Sequence, residues 1–334
     1  MLKILIVGAS GYSGVELVCY LNKHEHVNSI SLAVSHDSKD IGKNISDIYP
    51  SLKGRVNLYL ESINKFIHSN SVFHAVFFAT DHLVSYNLIP LFISKGCVIF
   101  DLSGAFRLKN YNKYPKYYGF IHEHLDLLKN AIYSLPEWNF KEIQQAQLLA
   151  LPGCYATCIQ LALKPLVIKQ LLSCSHRPII NAISGVSGAG RKISMINSFC
   201  EVDLQPYNIF IHKHIPEITE QLGIPIVFIP HLGAFNRGIL ATITCVLKDN
   251  ILLSEIISIF TQCYENSSCI RLYHDSIPKL KSVLGLPFCD IGFKSNKNYL
   301  VIVVTEDNLL KGAASQAIQC FNIRFGFDET KTLI

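Results

Sequence analysis

The chain has 334 residues, 49% of them hydrophobic and 16% charged, which excludes a disordered protein and suggests about two domains. Lysine and arginine exceed the acidic residues by only five and are spread along the chain, which argues against nucleic-acid binding. Mean hydropathy is +0.28, yet no stretch reaches the ~20 consecutive apolar residues of a membrane-spanning helix. We therefore expect a two-domain enzyme with neither a nucleic-acid nor a membrane partner.

The first half of the chain alternates predicted strands with predicted helices. Strands are expected at Lys3–Val7, Ile30–Val34, His74–Phe78, Val98–Phe100, Ala131–Tyr133 and Gln147–Ala150, and helices at Ser13–Lys23 and His82–Ser94. Alternation at this spacing predicts βαβ units and a parallel, Rossmann-type sheet.

The second half has a different pattern. A long helix is predicted from Cys154 to about Leu172, kinked or split at Pro165. Further strands are expected at Ile179–Ile183, Ile226–Ile229, Ile239–Leu247 and Tyr299–Thr305, with helices at Leu253–Glu265 and about Lys311–Phe325. Strands separated by loops and one helix favour a mixed α+β domain.

A glycine-rich turn, Gly8–Gly14, lies between the first strand and the first helix with the spacing G-x-x-G-x-x-G. Glycines there permit a tight turn and close approach to a dinucleotide pyrophosphate on the helix N-terminus. After the second strand, Ser35, Ser38 and their neighbours suit a 2′-phosphate, whereas Asp37 argues the other way, so NADP(H) is favoured. The predicted cofactor-binding residues are Gly8, Ser10, Gly11, Tyr12, Ser13, Gly14, Ser35 and Ser38.

Cys154 stands where a strand gives way to the long helix. Backbone N–H groups and the dipole at a helix start stabilise a thiolate and can hold an oxyanion, which favours a nucleophile attacking an acyl group. The alternative is a buried small hydrophobe, which we assign to Cys19, Cys97, Cys158, Cys174, Cys245 and Cys320. Eleven cysteines without a CxxC pair, and no signal-peptide pattern, predict reduced thiols in a cytoplasmic protein.

Three His-x-His pairs could begin a zinc site, but no further ligand follows at close spacing, so no metal is expected. The pairs are His24/His26, His122/His124 and His212/His214. We interpret the first as solvated side chains ending a helix and the second as a surface helix start. The third could supply a general acid/base to Cys154.

Arg107 follows the predicted strand that ends at Asp101, on the sheet edge where α/β folds bind ligands. Its guanidinium could hold a phosphate or carboxylate through two hydrogen bonds. A surface ion pair is an equally good interpretation of the local sequence.

Together these motifs make the chain resemble the N-acetyl-γ-glutamyl-phosphate reductase family of arginine biosynthesis. The matching stretches, in family order, are Gly8–Leu17, Asp101–Leu108, Leu135–Glu137, Pro152–Thr157, Ser184–Arg191, His212–Ile218, Pro230–Ile239 and Lys311–Gln319. Departures from the common family pattern are Leu151, Ala156, Gly104-Ala105 and Lys213.

The resemblance implies an NADPH-binding Rossmann domain (1–153 and 310–334, with the last helix returning to it). It also implies a catalytic and oligomerisation domain (154–309) shared in outline with aspartate-semialdehyde dehydrogenase. Cys154 falls on the family nucleophile and His214 on the acid/base, with His212 as neighbour, while Arg107, Ser187 and Arg191 fall in substrate-binding regions. The implied reaction reduces N-acetyl-L-glutamyl 5-phosphate, a small acyl phosphate, through a cysteine thioester.

A homo-oligomer, dimer or tetramer, is the default expectation. Two alternatives stay open from the sequence: an aspartate-semialdehyde dehydrogenase, and a non-catalytic NADP-binding sensor.

Overall fold

The computed structural model describes residues 1–69, 71–248 and 251–334. The chain divides into two compact units. Unit 1 comprises Met1–Asn112, Ile121–Pro152 and Ala313–Ile334, and unit 2 comprises Lys113–Phe120 and Gly153–Gly312. Each unit is built on one seven-stranded sheet.

The strands fall into two consecutive groups, β1–β7 in unit 1 and β8–β14 in unit 2. They are β1 (Leu2–Val7), β2 (Val27–Val34), β3 (Leu60–Ser62), β4 (Ala75–Phe78), β5 (Val98–Asp101), β6 (Ile132–Tyr133), β7 (Leu148–Ala150), β8 (Ile179–Gly185), β9 (Gln205–Pro206), β10 (Val227–Gly233), β11 (Ile239–Val246), β12 (Ile270–Tyr273), β13 (Cys289–Asn296) and β14 (Tyr299–Glu306). The helices are α1 (Tyr12–Leu21), α2 (Ile45–Ile48), α3 (Ile63–Ile67), α4 (His82–Ser94), α5 (Tyr114–Tyr118), α6 (Leu125–Asn130), α7 (Pro136–Gln145), α8 (Cys154–Ile168), α9 (His214–Leu222), α10 (Leu253–Tyr264) and α11 (Ala314–Arg324).

The sheet of unit 1 has the order β3-β2-β1-β4-β5-β7-β6, and all neighbouring strands in it are parallel. Ile4, Leu5 and Ile6 of β1 are fully buried in succession, as expected for a central strand covered on both faces. The C-terminal helix α11 packs against α1 and α7, and its residues Ala314–Ile323 are all buried. The predicted Rossmann-type sheet and the returning last helix are confirmed.

The sheet of unit 2 is mixed, with the order β12-β13-β14-β11-β8-β10-β9. The pairs β8/β10 and β12/β13 are parallel, and the other neighbours are antiparallel. Along β11, buried residues alternate with half-buried ones, because one face is covered more completely than the other. Helix α8 packs on β11 and β14 of this sheet and against α9 and α10. The predicted α+β class is confirmed.

Helix α8 is not split at Pro165 and ends at Ile168, short of the predicted Leu172. Gln170 takes a φ of 55°, in the left-handed region, and the Leu171 N–H donates to the Leu166 carbonyl at 3.0 Å. This is the Schellman end of a helix, made here without the usual glycine, so the sequence carried no stop signal.

Lys113–Phe120, placed by sequence in the first domain, lies in unit 2. Tyr114 contacts the rings of Tyr118 and Phe120, and Lys113 pairs with Glu220 at 3.9 Å. The predicted division into functional domains stays a prediction. Across the part of the chain that the structure describes, we find no helix long and apolar enough to cross a membrane.

Candidate active site

Cys154 is the first residue of α8 in unit 2, and its side chain is half-buried. Gly153 precedes it in extended backbone conformation, and among the described residues no side chain caps the helix start. The first-turn N–H groups of a helix and its dipole favour negative charge at this position. The placement suits a thiolate and an oxyanion formed on it.

The imidazole of His214 lies directly against Gly153. A β-carbon on residue 153 would be 2.2 Å from Nε2 and 2.5 Å from Cε1 of His214, closer than real contacts allow. Gly153 therefore has to be glycine for the ring to occupy this place. The structure therefore places the His214 ring against the residue before Cys154. From the sequence, the His212/His214 pair could supply a general acid/base to Cys154.

His212 lies behind His214, and its pKa is strongly perturbed. Its Nδ1 accepts a hydrogen bond from the His214 backbone N–H at 3.1 Å, and its ring contacts those of Tyr155, Tyr207 and Phe228. Burial, with a smaller effect from the Lys213 charge, lowers the pKa of His212 to about 4. His212 is thus neutral at pH 7 and acts here as a hydrogen-bond acceptor that fixes the start of α9.

Glu217 is a site residue for which sequence analysis gave no role. It is fully buried one turn along α9 from His214, and its Oε1 accepts the Gly153 N–H at 2.8 Å. The Gly153 carbonyl in turn accepts from Thr157 N–H at 2.9 Å. The signal for Glu217 was its place three residues after His214, which puts both side chains on one helical face.

Ser187 is tied to the Cys154 region through Asn308, a second residue that sequence analysis missed. Asn308 donates from Nδ2 to Ser187 Oγ at 3.0 Å and accepts the Gly238 N–H at 2.6 Å. A β-carbon on Gly312 would lie 2.7 Å from Cβ of Cys154 and 2.8 Å from the Asn308 carbonyl oxygen. Ser187 and Cys154 are therefore both packed around the turn that follows β14.

The two arginines predicted to bind substrate are in different settings. Arg191, after the glycine-rich loop of unit 2, is exposed. Arg107, in unit 1, is only 5% exposed, and donates from Nε to the Leu151 carbonyl at 2.6 Å and from Nη2 to the Leu102 carbonyl at 2.7 Å. The surface ion pair considered for Arg107 is therefore wrong, because its guanidinium is buried against backbone carbonyls.

The glycine turn of unit 1 has the strain and crowding that only glycine accepts. Gly8 has a φ of 83°, and a β-carbon there would lie 2.3 Å from the Ala79 carbonyl oxygen. A β-carbon on Gly14 would meet the Gly8 carbonyl oxygen at the same distance, 2.3 Å. Gly11 precedes α1, whose first turn receives no side-chain cap from the described residues. Of the other predicted residues, Ser10 lies in the turn, and Tyr12 and Ser13 are the first two residues of α1.

The loop after β2 carries Ser35 and Ser38, the candidates for binding a 2′-phosphate. The Ser35 hydroxyl donates to the Asp37 carboxylate, and this hydrogen bond lowers the pKa of Asp37. Ser38 Oγ accepts from the Asp40 N–H at 3.2 Å. Asp37 is exposed and ionised at neutral pH, so a negative charge stands between the two serines.

In each of the other two histidine pairs, the first histidine is buried. His24 is buried rather than solvated: its Nε2 lies 3.0 Å from the Asn322 side-chain oxygen, and burial lowers its pKa. His122 is also buried rather than on the surface, with Nε2 3.1 Å from the Ala105 carbonyl oxygen. The expectations were wrong for His24 and His122, because tertiary packing covers both side chains. His26 is 42% exposed, and His124 is half-buried at the start of α6, as expected of a helix start. Within residues 1–69, 71–248 and 251–334, no three His, Cys, Asp or Glu side chains group as a metal site.

The cysteines differ in exposure. Burial raises the pKa of Cys245 to about 12 and raises that of Cys158, one turn after Cys154, well above its usual range. Cys174 is exposed, so its assignment to the core was wrong. Cys200 is also exposed, and Cys19, Cys154 and Cys263 are half-buried. Burial raises the pKa of Cys19 and of Cys263.

Comparison with known proteins decides the family. The family model described as the semialdehyde dehydrogenase NAD binding domain matches residues 3–146, and that described as the semialdehyde dehydrogenase dimerisation domain matches 154–308. Curated relatives named N-acetyl-gamma-glutamyl-phosphate reductase are 56% identical in Yersinia pestis and 54% identical in Escherichia coli, over 100% of both chains in each case. This chain belongs to the N-acetyl-gamma-glutamyl-phosphate reductase family.

The fold of this family member is shared with more distant enzymes. Aspartate semialdehyde dehydrogenase II from Vibrio cholerae, complexed with ASA, superposes with a TM-score of 0.75 at 17% identity over 98% of both chains. Aspartate semialdehyde dehydrogenase with NADP from Candida albicans gives 0.66 at 13% identity, over 97% of this chain and 99% of the other. The resemblance to the N-acetyl-gamma-glutamyl-phosphate reductase family and the prediction of a dinucleotide-binding first domain are confirmed.

Proposed function

We propose that the chain reduces N-acetyl-L-glutamyl 5-phosphate with NADPH to N-acetyl-L-glutamate 5-semialdehyde and phosphate, a step of arginine biosynthesis. The main observation in favour of this chemistry is that the His214 ring lies against Gly153, the residue before Cys154 at the start of α8. The substrate follows from the names of relatives that are 54% to 56% identical over the full length.

The cofactor site we propose is the glycine turn with the loop after β2. The left-handed Gly8 and the crowded Gly14 bring backbone, rather than side chains, to the start of α1. The N–H groups of that first turn suit a pyrophosphate, so the residues present fit a dinucleotide. NADPH, when bound, supplies the hydride that reduces the thioester carbonyl. The proposed binding residues are Gly8, Ser10, Gly11, Tyr12, Ser13, Gly14, Ser35 and Ser38.

In the first step, His214 accepts the Cys154 thiol proton and the thiolate attacks the acyl carbon. The new C–S bond replaces the C–O bond to phosphate, and His214 passes its proton to the departing phosphate oxygen. Cys154 is left as a thioester. N–H groups at the start of α8 stabilise the negative oxygen of the tetrahedral state.

In the second step, the reduced carbon carries an oxyanion held by the same N–H groups. The carbonyl re-forms, the C–S bond breaks, and the Cys154 thiolate leaves as the aldehyde is released. One proton from solvent restores the resting thiol. His212 and Glu217 act as positioning residues, because they hold the start of α9 and Gly153 respectively.

Substrate binding is proposed for Ser187 and Arg191 of unit 2 and for Arg107 of unit 1. Asn308 fixes the Ser187 hydroxyl, and two backbone carbonyls fix the Arg107 guanidinium, so both groups are held in one orientation. We propose a homo-oligomer, dimer or tetramer, working in the cytoplasm, where Cys154 stays reduced.

The deciding experiment runs the reverse reaction on N-acetylglutamate 5-semialdehyde with phosphate, comparing NADP with NAD and with aspartate semialdehyde in parallel. We expect phosphate-dependent turnover on the acetylated aldehyde and a preference for NADP. Turnover on aspartate semialdehyde alone would identify an aspartate-semialdehyde dehydrogenase instead. Cofactor binding without turnover on either aldehyde would favour a sensor.

A further inference from the structure

Residues 44–52 of unit 1 lie between β2 and β3, in a part of the chain for which the sequence analysis gave no element and no role. They form the four-residue helix α2 and a short 3₁₀ turn, Pro50–Leu52. Tyr49 stands at the junction of the two, and its hydroxyl donates a hydrogen bond to the backbone carbonyl of Ser10 at 2.9 Å. Tyr49 therefore contacts the glycine turn directly, although it lies 39 residues away from Ser10 in the chain.

Tyr49 is held in place by the segment that carries it. Its N–H donates to the Ile45 carbonyl at 3.0 Å, and its carbonyl accepts the Leu52 N–H at 2.9 Å. The side chains of Ile45 and Leu52 are buried in the core of unit 1, and Tyr49 packs against the same core. A capping box between Asn44 and Asp47 closes the start of α2. The Tyr49 hydroxyl is therefore presented by a packed and hydrogen-bonded segment.

The peptide group that joins Ser10 to Gly11 is held at both ends. Its carbonyl accepts from Tyr49, and its N–H donates to the Gly8 carbonyl at 3.0 Å. The next carbonyl, that of Gly11, accepts the Val15 N–H at 2.9 Å and so begins the hydrogen bonding of α1. Because glycine has no β-carbon, Gly11 itself restricts the rotation of this peptide less than another residue would. The Tyr49 hydroxyl supplies part of the restraint that glycine lacks.

The Ser10–Gly11 peptide leads into the N–H groups at the start of α1. The first N–H groups of a helix have no partner within the helix and, together with the helix dipole, favour an anion. An anion binds more tightly when these donors are already held in the bound arrangement, because less conformational freedom is then lost on binding. The restraint on this peptide in the cofactor-free protein therefore bears on cofactor affinity.

We propose that Tyr49 is a positioning residue of the cofactor site, whose hydroxyl holds the Ser10–Gly11 peptide so that the N–H groups at the start of α1 receive the cofactor pyrophosphate. The pyrophosphate is common to NADP(H) and NAD(H). Tyr49 therefore acts on the affinity for both dinucleotides and leaves the preference between them to the loop after β2. The inference rests on the proposed cofactor site, but not on the proposed reaction, because cofactor binding can be measured without turnover.

Removal of the hydroxyl tests the inference by direct binding. Calorimetric titration of Tyr49→Phe with NADPH and with NADH should give dissociation constants about three- to tenfold higher for both, as expected for one lost hydrogen bond. Tyr59→Phe, on an exposed tyrosine of the same unit, should bind both cofactors like the unmodified protein. Unchanged binding by Tyr49→Phe would overturn the inference. A loss confined to NADPH would also overturn it, because the effect would then lie at the 2′-phosphate.

Two further measurements separate positioning from general destabilisation. In the reverse reaction, Tyr49→Phe should raise the KM for NADP by a similar factor and leave kcat within about twofold of the unmodified value, because the turn serves binding and not the chemical step. In the cofactor-free protein, hydrogen exchange should become faster in the peptide that covers residues 8–14. Faster exchange throughout unit 1 would mean that the substitution loosens the whole fold, and would overturn the inference. The binding test stands even if the unmodified protein turns over neither aldehyde, so this inference and the proposed function fail separately.

Discussion

Gly153 donates its backbone N–H to the buried carboxylate of Glu217 at 2.8 Å, one residue before the proposed nucleophile. Glu217→Ala leaves that buried donor without its acceptor, which costs about 1–3 kcal/mol, and frees the residue that positions Cys154. We expect kcat to fall ~10- to 100-fold with little change in NADPH affinity, by the arithmetic of ~1.4 kcal/mol per factor of ten. Steady-state kinetics and cofactor titration measure the two effects.

Two further variants separate positioning from general destabilisation. Glu217→Gln keeps an oxygen acceptor and should recover much of the lost kcat. Glu220→Ala, one turn farther along α9, removes a carboxylate that pairs with Lys113 and should leave kcat near the unmodified value. If Glu217→Gln is as impaired as Glu217→Ala, the carboxylate charge rather than its hydrogen bond is what the site needs.

Replacing the sulfur tests the nucleophile. Cys154→Ser should reduce phosphate-dependent turnover by at least 1,000-fold, because a serine hydroxyl is far less ionised than a thiol, while NADPH binding is retained. Cys174→Ser is the matched control, on an exposed thiol outside the site. Turnover of Cys154→Ser close to that of the control would refute the assignment.

The two histidines should differ in how they affect the pH dependence of turnover. Burial keeps His212 neutral above a pKa of about 4, so its ionisation does not shape a profile recorded from pH 5 to 9. His212→Asn should lower kcat but keep the shape of the profile. His214→Asn should remove the limb due to the acid/base and lower kcat by ~100- to 10,000-fold. If His212→Asn lost the limb of the pH profile instead, His212 would be the acid/base and His214 the positioning residue.

Cofactor preference should respond to Asp37. Its carboxylate, kept ionised by the Ser35 hydrogen bond, would repel a 2′-phosphate held by the neighbouring serines. Asp37→Asn should therefore raise the ratio of kcat/KM for NADP over NAD by a few-fold, measured by initial rates. Asp40→Asn, three residues on, serves as the control. If Asp37→Asn lowered this ratio, the 2′-phosphate would not bind beside Asp37.

Acid should destabilise the fold in part through His122. Burial lowers its pKa from 6.5 to about 4, so between these values the unfolded chain binds a proton that the folded chain excludes. The free energy of unfolding therefore decreases as the pH falls from 6.5 to 4 and levels off below, by about 1–3 kcal/mol for this residue. Urea unfolding of His122→Gln at pH 7 and pH 4.5 should show a smaller difference than the unmodified protein. An equal difference would mean that His122 titrates normally in the folded state.

The fold was largely predictable because long apolar runs with clear periodicity determine it. The strand β4 is buried throughout and β1 is buried from Ile4 to Val7, and α4 was predicted at its observed bounds, His82–Ser94. The strand β13 was missed, since Gly292 and the polar residues at its end interrupt its apolar run. The Schellman end of α8 was missed because Gln170, not glycine, takes the left-handed conformation.

The candidate site was predictable where chemistry depends on a residue type in a local context. Cys154 after a glycine and the His212/His214 pair are visible in the printed sequence. Glu217 and Asn308 were missed because their roles come from hydrogen bonds to residues 64 and 121 positions away. The burial of His24 and His122 was missed for the same reason, since no local pattern records which distant elements cover them.

Gly153 and Gly312 are the first and last residues of the main segment of unit 2, and both lie against Cys154 or its neighbours. If that segment were expressed alone, a free ammonium and a free carboxylate would be created beside the thiol. The same would hold for a circular permutant opened at either glycine. Dissection of this protein therefore has to begin in exposed loops away from residues 153 and 312, because a cut at the natural unit boundary would alter the electrostatics of the nucleophile itself.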